Sequence, residues 1–407
     1  LDHFPYKGRR REKLTEGTSP CHNRGMMKEI TYEELKALTE GSYALIDIRD
    51  ESLREFGTIP GSIAISFEDE ENVIEDKLLE IPGDKKLVFF CEKGQRTGEM
   101  EDETSLKGRE CYSLKGGYIG YVSRLMAEGS HDKERRKKAE ESIRKKYHKQ
   151  LFTPFARACK NYKLIEEGDR IAVCISGGKD SMLMAMLFQE IQRHRQCSFE
   201  LKYLVMDPGY NKENRELIES NARALGIPVT IFESTIFDAV ETIDKNPCYL
   251  CARMRRGHLY NQAREMGCNK IALGHHYDDV IETILMGMLQ GAQIQTMMPK
   301  LHSTNFEGME LIRPMYLIRE KDIIAWRDYN ELHFLQCACH FTETCSTCHE
   351  DGTTSSKRLE TKKLIAKLKE DNPFVESNIF KSVENVNVDT VIEYKKHGVR
   401  HNFLDEY

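Results

Sequence analysis

Two short stretches of this chain carry residues whose types and spacing suit group transfer. In the first, the apolar run Ile171–Ile175 empties into Ser176-Gly177-Gly178-Lys179-Asp180-Ser181, and a helical apolar pattern (Met182, Leu183, Met186, Leu187, Ile191) follows at once. Two glycines let the backbone approach a phosphate closely, and the N–H groups of a first helical turn point at it. The spacing is not that of the Walker loop, which sets four residues between its glycines and ends in Gly-Lys-Ser/Thr. In the second stretch the strand-like Lys86-Leu-Val-Phe-Phe90 ends in Cys91-Glu-Lys-Gly-Gln-Arg-Thr97. A cysteine at the mouth of such a loop sits among converging N–H groups, with Arg96 beside it. Both features favour the thiolate, which is the nucleophile. A buried structural thiol in a strand-end turn is the alternative.

Three further clusters could bind metal or nucleotide. Pro247-Cys-Tyr-Leu-Cys251 runs into a basic stretch holding Arg253, Arg255 and Arg256. A Cys-x-x-Cys pair at a helix start can chelate one metal, form a redox dithiol or ligate a cluster. Gly274-His275-His276-Tyr277-Asp278-Asp279 follows an apolar strand. Mg²⁺ on a triphosphate takes one or two carboxylates plus phosphate oxygens, which suits Asp279; acids at a solvated helix N-terminus are the alternative. Cys337-Ala-Cys339 lies near Cys345, Cys348, His340 and His349, a set that also suits a separate zinc site.

The elements that must position these residues alternate in type. Strands are expected at 43–48, 62–66, 86–90, 170–175, 202–206, 228–232 and 270–273, with helices at 31–38 and 252–266 among those between them. Such alternation predicts mostly parallel sheets. A chain of 407 residues is too long for one ordinary core. The expected division is a tail (1–26), an α/β domain (27–130), a basic helical linker (131–151) and a second α/β domain (152–407). Residues 131–150 hold nine Lys/Arg against four Asp/Glu and show almost no apolar face. The uncharged run 284–299, after Thr283, reads as a buried or interfacial helix end.

Hydrophobic residues at 40% and charged residues at 31% describe a globular protein with no run near the ~20 apolar residues of a membrane helix. No secretory pattern opens the chain, so a cytoplasmic protein without a membrane partner is expected. Thirteen cysteines then read as metal or catalytic thiols rather than disulfides. A net charge of −6 excludes a protein basic throughout, but not local nucleic-acid contacts through Arg253, Arg255, Arg256 or the linker.

Asp47-Ile-Arg-Asp50, Gly57-Thr-Ile-Pro-Gly-Ser-Ile63, the Cys91 loop and Lys115-Gly-Gly-Tyr118 resemble a single rhodanese domain, in that family's order. The resemblance implies that Cys91 carries sulfane sulfur as a persulfide, cradled by loop amides and Arg96. Thr58 departs from the pattern, where a histidine is usual. The hexad at 176–181 resembles the PP-loop of ATP pyrophosphatases, which adenylate a substrate oxygen. With Cys-x-x-Cys-x-Arg-x-Arg-Arg-Gly257, Ala272-Leu-Gly-His-His-x-Asp-Asp279, Met298-Pro-Lys-Leu301, Ile312-Arg-Pro314 and Ile318-Arg-Glu-Lys-Asp322, residues 150–395 resemble the tRNA 2-thiocytidine synthetase branch of that family.

The fold this implies is α/β: a small rhodanese-like parallel-sheet domain, then a Rossmann-like PP-loop domain of the adenine nucleotide alpha hydrolase type. ATP falls to Ser176, Gly177, Gly178, Lys179, Asp180, Ser181, Gly274 and His275, with Lys179 and Asp180 also catalytic and Mg²⁺ at Asp279. A 4Fe-4S cluster falls to Cys248, Cys251 and Cys337, with Cys339 the rival third ligand. The implied partners are tRNA and a sulfur donor such as a cysteine desulfurase, and a homodimer stays open. The implied reaction adenylates the C2 oxygen of a cytidine, position 32 of the anticodon loop, and replaces it with sulfur passed from Cys91 through the cluster. Competing expectations are a uridine or small-molecule acceptor, and a sulfur- or redox-sensing nucleotide-binding protein without turnover. Lysidine synthetase, which adenylates the same cytidine oxygen, lacks these cysteines and the sulfur domain.

Overall fold

The computed structural model describes residues 27–39, 41–54, 57–66, 69, 71–94, 97, 109–127, 132–234, 247–335, 357–405 and 407; of residues 52, 71, 72, 75, 126, 127 and 247–253 it describes the backbone alone. The first half runs β1 (Lys28–Ile30), α1 (Tyr32–Ala37), β2 (Tyr43–Asp47), α2 (Glu51–Arg54), β3 (Ile63–Ala64), α3 (Glu71–Leu79), β4 (Lys86–Phe90), β5 (Cys111–Leu114) and α4 (Gly117–Ala127). Its five strands form a sheet in the order β1-β5-β4-β2-β3, every pair parallel. Leu87 to Phe90 are all fully buried, as a central strand covered on both faces requires. At α1, Thr31 and Glu34 close a reciprocal capping box, which fixes where that helix starts.

The second half begins with α5 (Asp132–Arg144), a π-helical turn (His148–Phe152) and α6 (Thr153–Asn161). Then come β6 (Arg170–Ile175), α7 (Lys179–Arg193), β7 (Glu200–Asp207), α8 (Lys212–Ala224), β8 (Val229–Glu233), α9 (Pro247–Glu265), β9 (Lys270–Ala272) and α10 (Tyr277–Gly291). A β10 (Lys300–His302) and β11 (Glu310–Ile312) pair, α11 (Glu320–Tyr329), α12 (Lys357–Asp371), α13 (Val375–Ser382) and a hairpin of β12 (Glu393–Lys396) with β13 (Val399–Asn402) complete it. The six-stranded sheet has the order β10-β11-β9-β6-β7-β8 and is parallel apart from β10. Strand order reverses beside β6. The loops after β6 and β9 therefore flank the crevice where open α/β sheets bind ligands.

The expected alternation holds, with three differences. The basic stretch is helical, but Ala139 and Ile143 are buried one turn apart, so α5 does have an apolar stripe. Its charges pair along the helix and across to α7: Glu140 takes Arg136 and Arg144 of α5 and Arg193 of α7. The run after Thr283 is buried only at its start, where Ile284 is fully buried, whereas Met288, Leu289, Ile294 and Met298 are exposed. The antiparallel β10–β11 edge carried no clear local signal. No helix among the described residues is long and apolar enough to cross a membrane.

The halves share one apolar cluster, in which Ile59, Tyr118, Ile119 and Val122 join Leu217, Ile218, Phe334 and Leu335. Helix α4 packs along α8, and Ser123 Oγ donates to the Glu213 carbonyl at 3.2 Å.

Candidate active site

The loop after β6 is held open by its own side chains. Ser181 Oγ donates to the Gly178 carbonyl (3.0 Å) and accepts the Ser176 N–H (3.1 Å), tying the first turn of α7 back to the strand end. Gly177 has φ +85°, where a side chain is strained, and a Cβ there would meet Ile218 of α8 at 2.6 Å. Gly178 is the N-cap of α7 and no side chain caps it, so first-turn N–H groups stay available to an anion. Gly274 brings the β9 loop against this turn: a Cβ on it would stand 3.2 Å from the Ser181 nitrogen.

Charge collects around the loop. Lys179, 7% exposed, bridges Asp180 Oδ2 (3.3 Å) and Glu320 Oε1 (3.2 Å). Burial pushes Asp180 above the usual carboxylate range against the pull of Lys179 and His276, and its Oδ1 is buried without a hydrogen-bond partner. Burial also disfavours charge on Glu320, but Lys179, His276 and Lys362 outweigh it and hold that carboxyl at about 2. His275 is pushed down to about 4, chiefly by burial, which leaves a neutral ring whose Nδ1 has no partner. A cleft of about 110 Å³ opens beside the loop, lined by Ser176, Gly178, Lys179, Asp180, Arg327, Phe334 and Leu335. Arg327 is 5% exposed, and its NH1 has no partner. A half-buried carboxylate and a buried guanidinium, each with one buried atom unused in hydrogen bonding, fit a ligand carrying phosphate and cation together.

The expected Mg²⁺ ligand, Asp279, is otherwise engaged. Its Oδ2 accepts the His276 N–H (2.9 Å) in the cap of α10, and its Oδ1 meets Arg358 at 2.8 Å. Asp278 is committed too, to Arg319 (3.1 Å) and the Glu320 N–H (2.7 Å). A cation near this turn would find Asp180 Oδ1 unpaired.

In the first half, Cys91 follows β4 and is 6% exposed. The Gly94 N–H donates to its Sγ at 3.1 Å. Arg96 lies outside the described residues. Beneath the loop, buried Arg49 binds Asp47 through two bonds (2.9 and 2.6 Å), the Gly57 carbonyl (2.8 Å) and Glu92 (3.0 Å). Thr58 completes Asp47 by donating to Oδ2 and shares a bond with Ser62 Oγ. The unusual residue of the motif is thus a half-buried cap on Asp47.

The cysteine expectations fall largely outside the described residues. The backbone places Cys248 and Cys251 in the first turn of α9, three residues apart and so on one side. Cys337, Cys339, Cys345, Cys348, His340 and His349 lie outside. Of the arginines beside the pair, Arg255 reaches Tyr210 Oη at 3.4 Å and Arg256 is exposed. Reading the sequence missed His276, whose Nε2 stands 3.9 Å from Asp180, as well as Glu320, Arg327 and Arg358. Glu320 sat inside a quoted motif without a role; Arg327 and Arg358 carried no local signal.

Comparison with known proteins agrees with both halves. The PP-loop domain model matches residues 143–339 and the rhodanese-like domain model residues 31–124. The tRNA-cytidine(32) 2-sulfurtransferase of Syntrophotalea carbinolica is 34% identical over 233 residues, which are 56% of this chain and 86% of that protein. The protein of the same name from Geotalea uraniireducens is 36% identical over 235 residues, 56% of this chain and 88% of that one. This chain belongs to the tRNA-cytidine(32) 2-sulfurtransferase family. Its likeness to those members covers the PP-loop part, and the rhodanese-like half stands in front of it. Among solved structures, the U34-tRNA thiolase NcsA from Methanococcus maripaludis with its [4Fe-4S] cluster overlays with a TM-score of 0.45 at 20% identity, covering 59% of this chain and 82% of that one. That overlay is too loose to bear on the site.

Proposed function

We propose that this chain thiolates tRNA, replacing the C2 oxygen of the cytidine at position 32 with sulfur at the expense of ATP. The observation that carries the reading is the pairing, in one chain, of a cysteine loop cradled by amides with a phosphate-shaped loop whose buried neighbours keep atoms unpaired. Residues 27–130 would load sulfur and 152–407 would activate the base, with 131–151 between them.

Carbon 2 of cytosine is a poor electrophile because its oxygen leaves badly. The Ser176–Ser181 amides, with Gly274 and His275 at the neighbouring strand end, would hold ATP so that the cytidine oxygen attacks its α-phosphorus. Lys179 and the α7 N-terminus would take up charge on the departing pyrophosphate. Mg²⁺ would sit against Asp180 Oδ1, with Asp279 joining it only if Arg358 moves. A persulfide sulfur would attack carbon 2 and expel AMP, leaving a C–S–S linkage; a second thiol would then attack the carrier sulfur, leaving sulfur on carbon 2 and a disulfide that an external thiol reductant resets. Cys91, with Arg96 and the loop amides around it, would carry that sulfur as a persulfide. Cys248, Cys251 and Cys337, or Cys339 in third place, would hold a 4Fe-4S cluster. Held by those three thiolates, it would supply an open iron for sulfur. Arg253, Arg255 and Arg256 adjoin the cysteine pair and suit RNA phosphates.

Digestion of bulk tRNA from cells with and without the gene, with thionucleosides quantified by mass spectrometry, tests the reading. Selective loss of 2-thiocytidine is expected. Loss of another thionucleoside would move the acceptor to a different base, and an unchanged profile would remove tRNA from the proposal.

A further inference from the structure

We propose that sulfur is delivered within a single chain, from Cys91 to the nucleotide cleft, across a fixed bridge made by Tyr118 and residues 333–335. The inference rests on the thiolation reading above and adds the route and the residues that set it.

The bridge begins at the sulfur loop itself. The Tyr118 N–H donates to the Cys91 carbonyl at 2.9 Å, in the first turn of α4. Gly117 beside it has φ +58°, and a Cβ there would collide with the Cys91 carbonyl and the Gly94 nitrogen. Tyr118 is therefore locked to the backbone that carries the thiol. Its ring lies 3.9 Å under the Arg49 guanidinium, and Gly57 leaves room for its hydroxyl: a Cβ there would stand 2.6 Å from Oη.

Across the boundary, Tyr118 Oη meets His333 Nδ1 at 3.0 Å. Burial lowers the imidazole and raises the phenol, so the bond joins two neutral groups. The His333 carbonyl accepts from Asn221 of α8 (2.8 Å), and two residues on, the Leu335 N–H donates to the Gly177 carbonyl (3.2 Å). Phe334, Leu335 and Arg327 then form one side of the cleft. Three consecutive residues thus run from the active edge of the first sheet to the loop that would take the phosphates.

Helix α8 braces the same route from below. It takes Ser123 of α4 through the Glu213 carbonyl and sets Ile218 under Gly177. A carrier that swung away to serve another chain would have to break this packing and expose the shared apolar cluster. The transfer needs no outside oxidant or reductant when the acceptor is a cysteine thiolate of the PP-loop half. That thiolate attacks the outer sulfur of the Cys91 persulfide, a new S–S bond forms as the old one breaks, and Cys91 leaves as thiolate with the electron pair. Tyr118 and His333 are positioning residues in this scheme.

Complementation between chains tests the proposal. Cys91→Ser and Lys179→Ala chains are co-expressed with different affinity tags, so that any oligomer holds both. Thiosulfate-supported thiolation is then assayed with ATP, a thiol reductant and tRNA from cells lacking the gene. The wild-type chain supplied with sulfide instead of thiosulfate tests the thiolation reading separately, because that assay bypasses Cys91. Persulfide loading of Lys179→Ala and sulfide-supported turnover of Cys91→Ser show that each chain is folded. Delivery within the chain predicts less than about a tenth of the wild-type rate from the pair, since sulfur loaded on one chain faces no high effective concentration at the other. A higher recovery overturns it. Tyr118→Phe gives a second reading: thiosulfate-supported turnover should fall at least about fivefold while persulfide loading and sulfide-supported turnover hold. Unchanged thiosulfate-supported turnover would show the bridge to be dispensable.

Discussion

Both halves set an active loop at the carboxyl end of a buried parallel strand, β4 in one and β6 in the other, yet they treat buried charge in opposite ways. Beside Cys91, Arg49 is shared among Asp47, Glu92 and a carbonyl, and Thr58 caps what remains of Asp47. Among the described residues of that half, Arg109 Nε is the one buried side-chain atom without a partner; that arginine's other nitrogens bond the Leu78 and Pro82 carbonyls, at the opposite end of β4. Around the second loop Asp180 Oδ1, His275 Nδ1 and Arg327 NH1 are all left over. A complete network holds a small covalent cargo without being reshaped. An incomplete one is finished by its ligand, and until then it stores the cost of the missing bonds.

The contrast is broken most directly by cutting the complete network. Arg49→Ala leaves Asp47 buried without its cation, and stability of the full chain in urea should fall by about 3–5 kcal/mol. A loss under about 1 kcal/mol would mean that the network is not what holds the loop. The incomplete site should respond to ligand instead. A non-hydrolysable ATP analogue at about a hundred times its Kd should stabilise the chain by about 2.7 kcal/mol. Loading Cys91 from thiosulfate should move the midpoint far less. Equal shifts from both would erase the distinction.

Arg327 sharpens it further, because its unpaired NH1 is assigned to the ligand rather than to the fold. Arg327→Ala should raise the KM for ATP about tenfold, close to 1.4 kcal/mol, with kcat and the urea midpoint little changed. A lowered midpoint with an unaltered KM would place the arginine in the structure alone.

How much of this was written locally follows from the same contrast. Gly177, Gly178 and Ser181, and Cys91 with its loop, are legible because strand, loop and helix are consecutive in sequence and the chemistry sits in the turn. Lys86–Phe90 was readable as a buried strand because all its apolar residues face protein. Side-chain pairings across long separations were not. Tyr118 and His333 are 215 positions apart, and nothing near either announces the other. Asp279 has the spacing of a metal ligand, and only the fold brings Arg358 onto it from α12, 79 positions later. The π-helical turn and the apolar stripe of α5 were hidden under a run of charge that the fold pairs along α5 and across to α7.

The smallest expected effect probes whether stored charge extends beyond the loop. Glu282 lies one turn along α10 from Asp279 and is 5% exposed. Burial raises its carboxyl from the ordinary 4.5 to about 7, with Arg358 at 3.4 Å opposing and Asp279 and Glu320 reinforcing the shift. Between those two values the folded chain binds a proton that the unfolded chain has lost. The contribution is therefore fully present below the unfolded value and disappears as pH rises through the folded one. Glu282→Gln cannot lose that proton. The variant should match the wild type at about pH 5 and exceed it by about 1 kcal/mol at about pH 8, the shift being shared with the charges around it. Urea midpoints at the two pH values decide it. A variant less stable than the wild type at the higher pH would make Glu282 a working partner of Arg358, and the unsatisfied atoms would then be confined to Asp180 Oδ1, His275 Nδ1 and Arg327 NH1 around the loop.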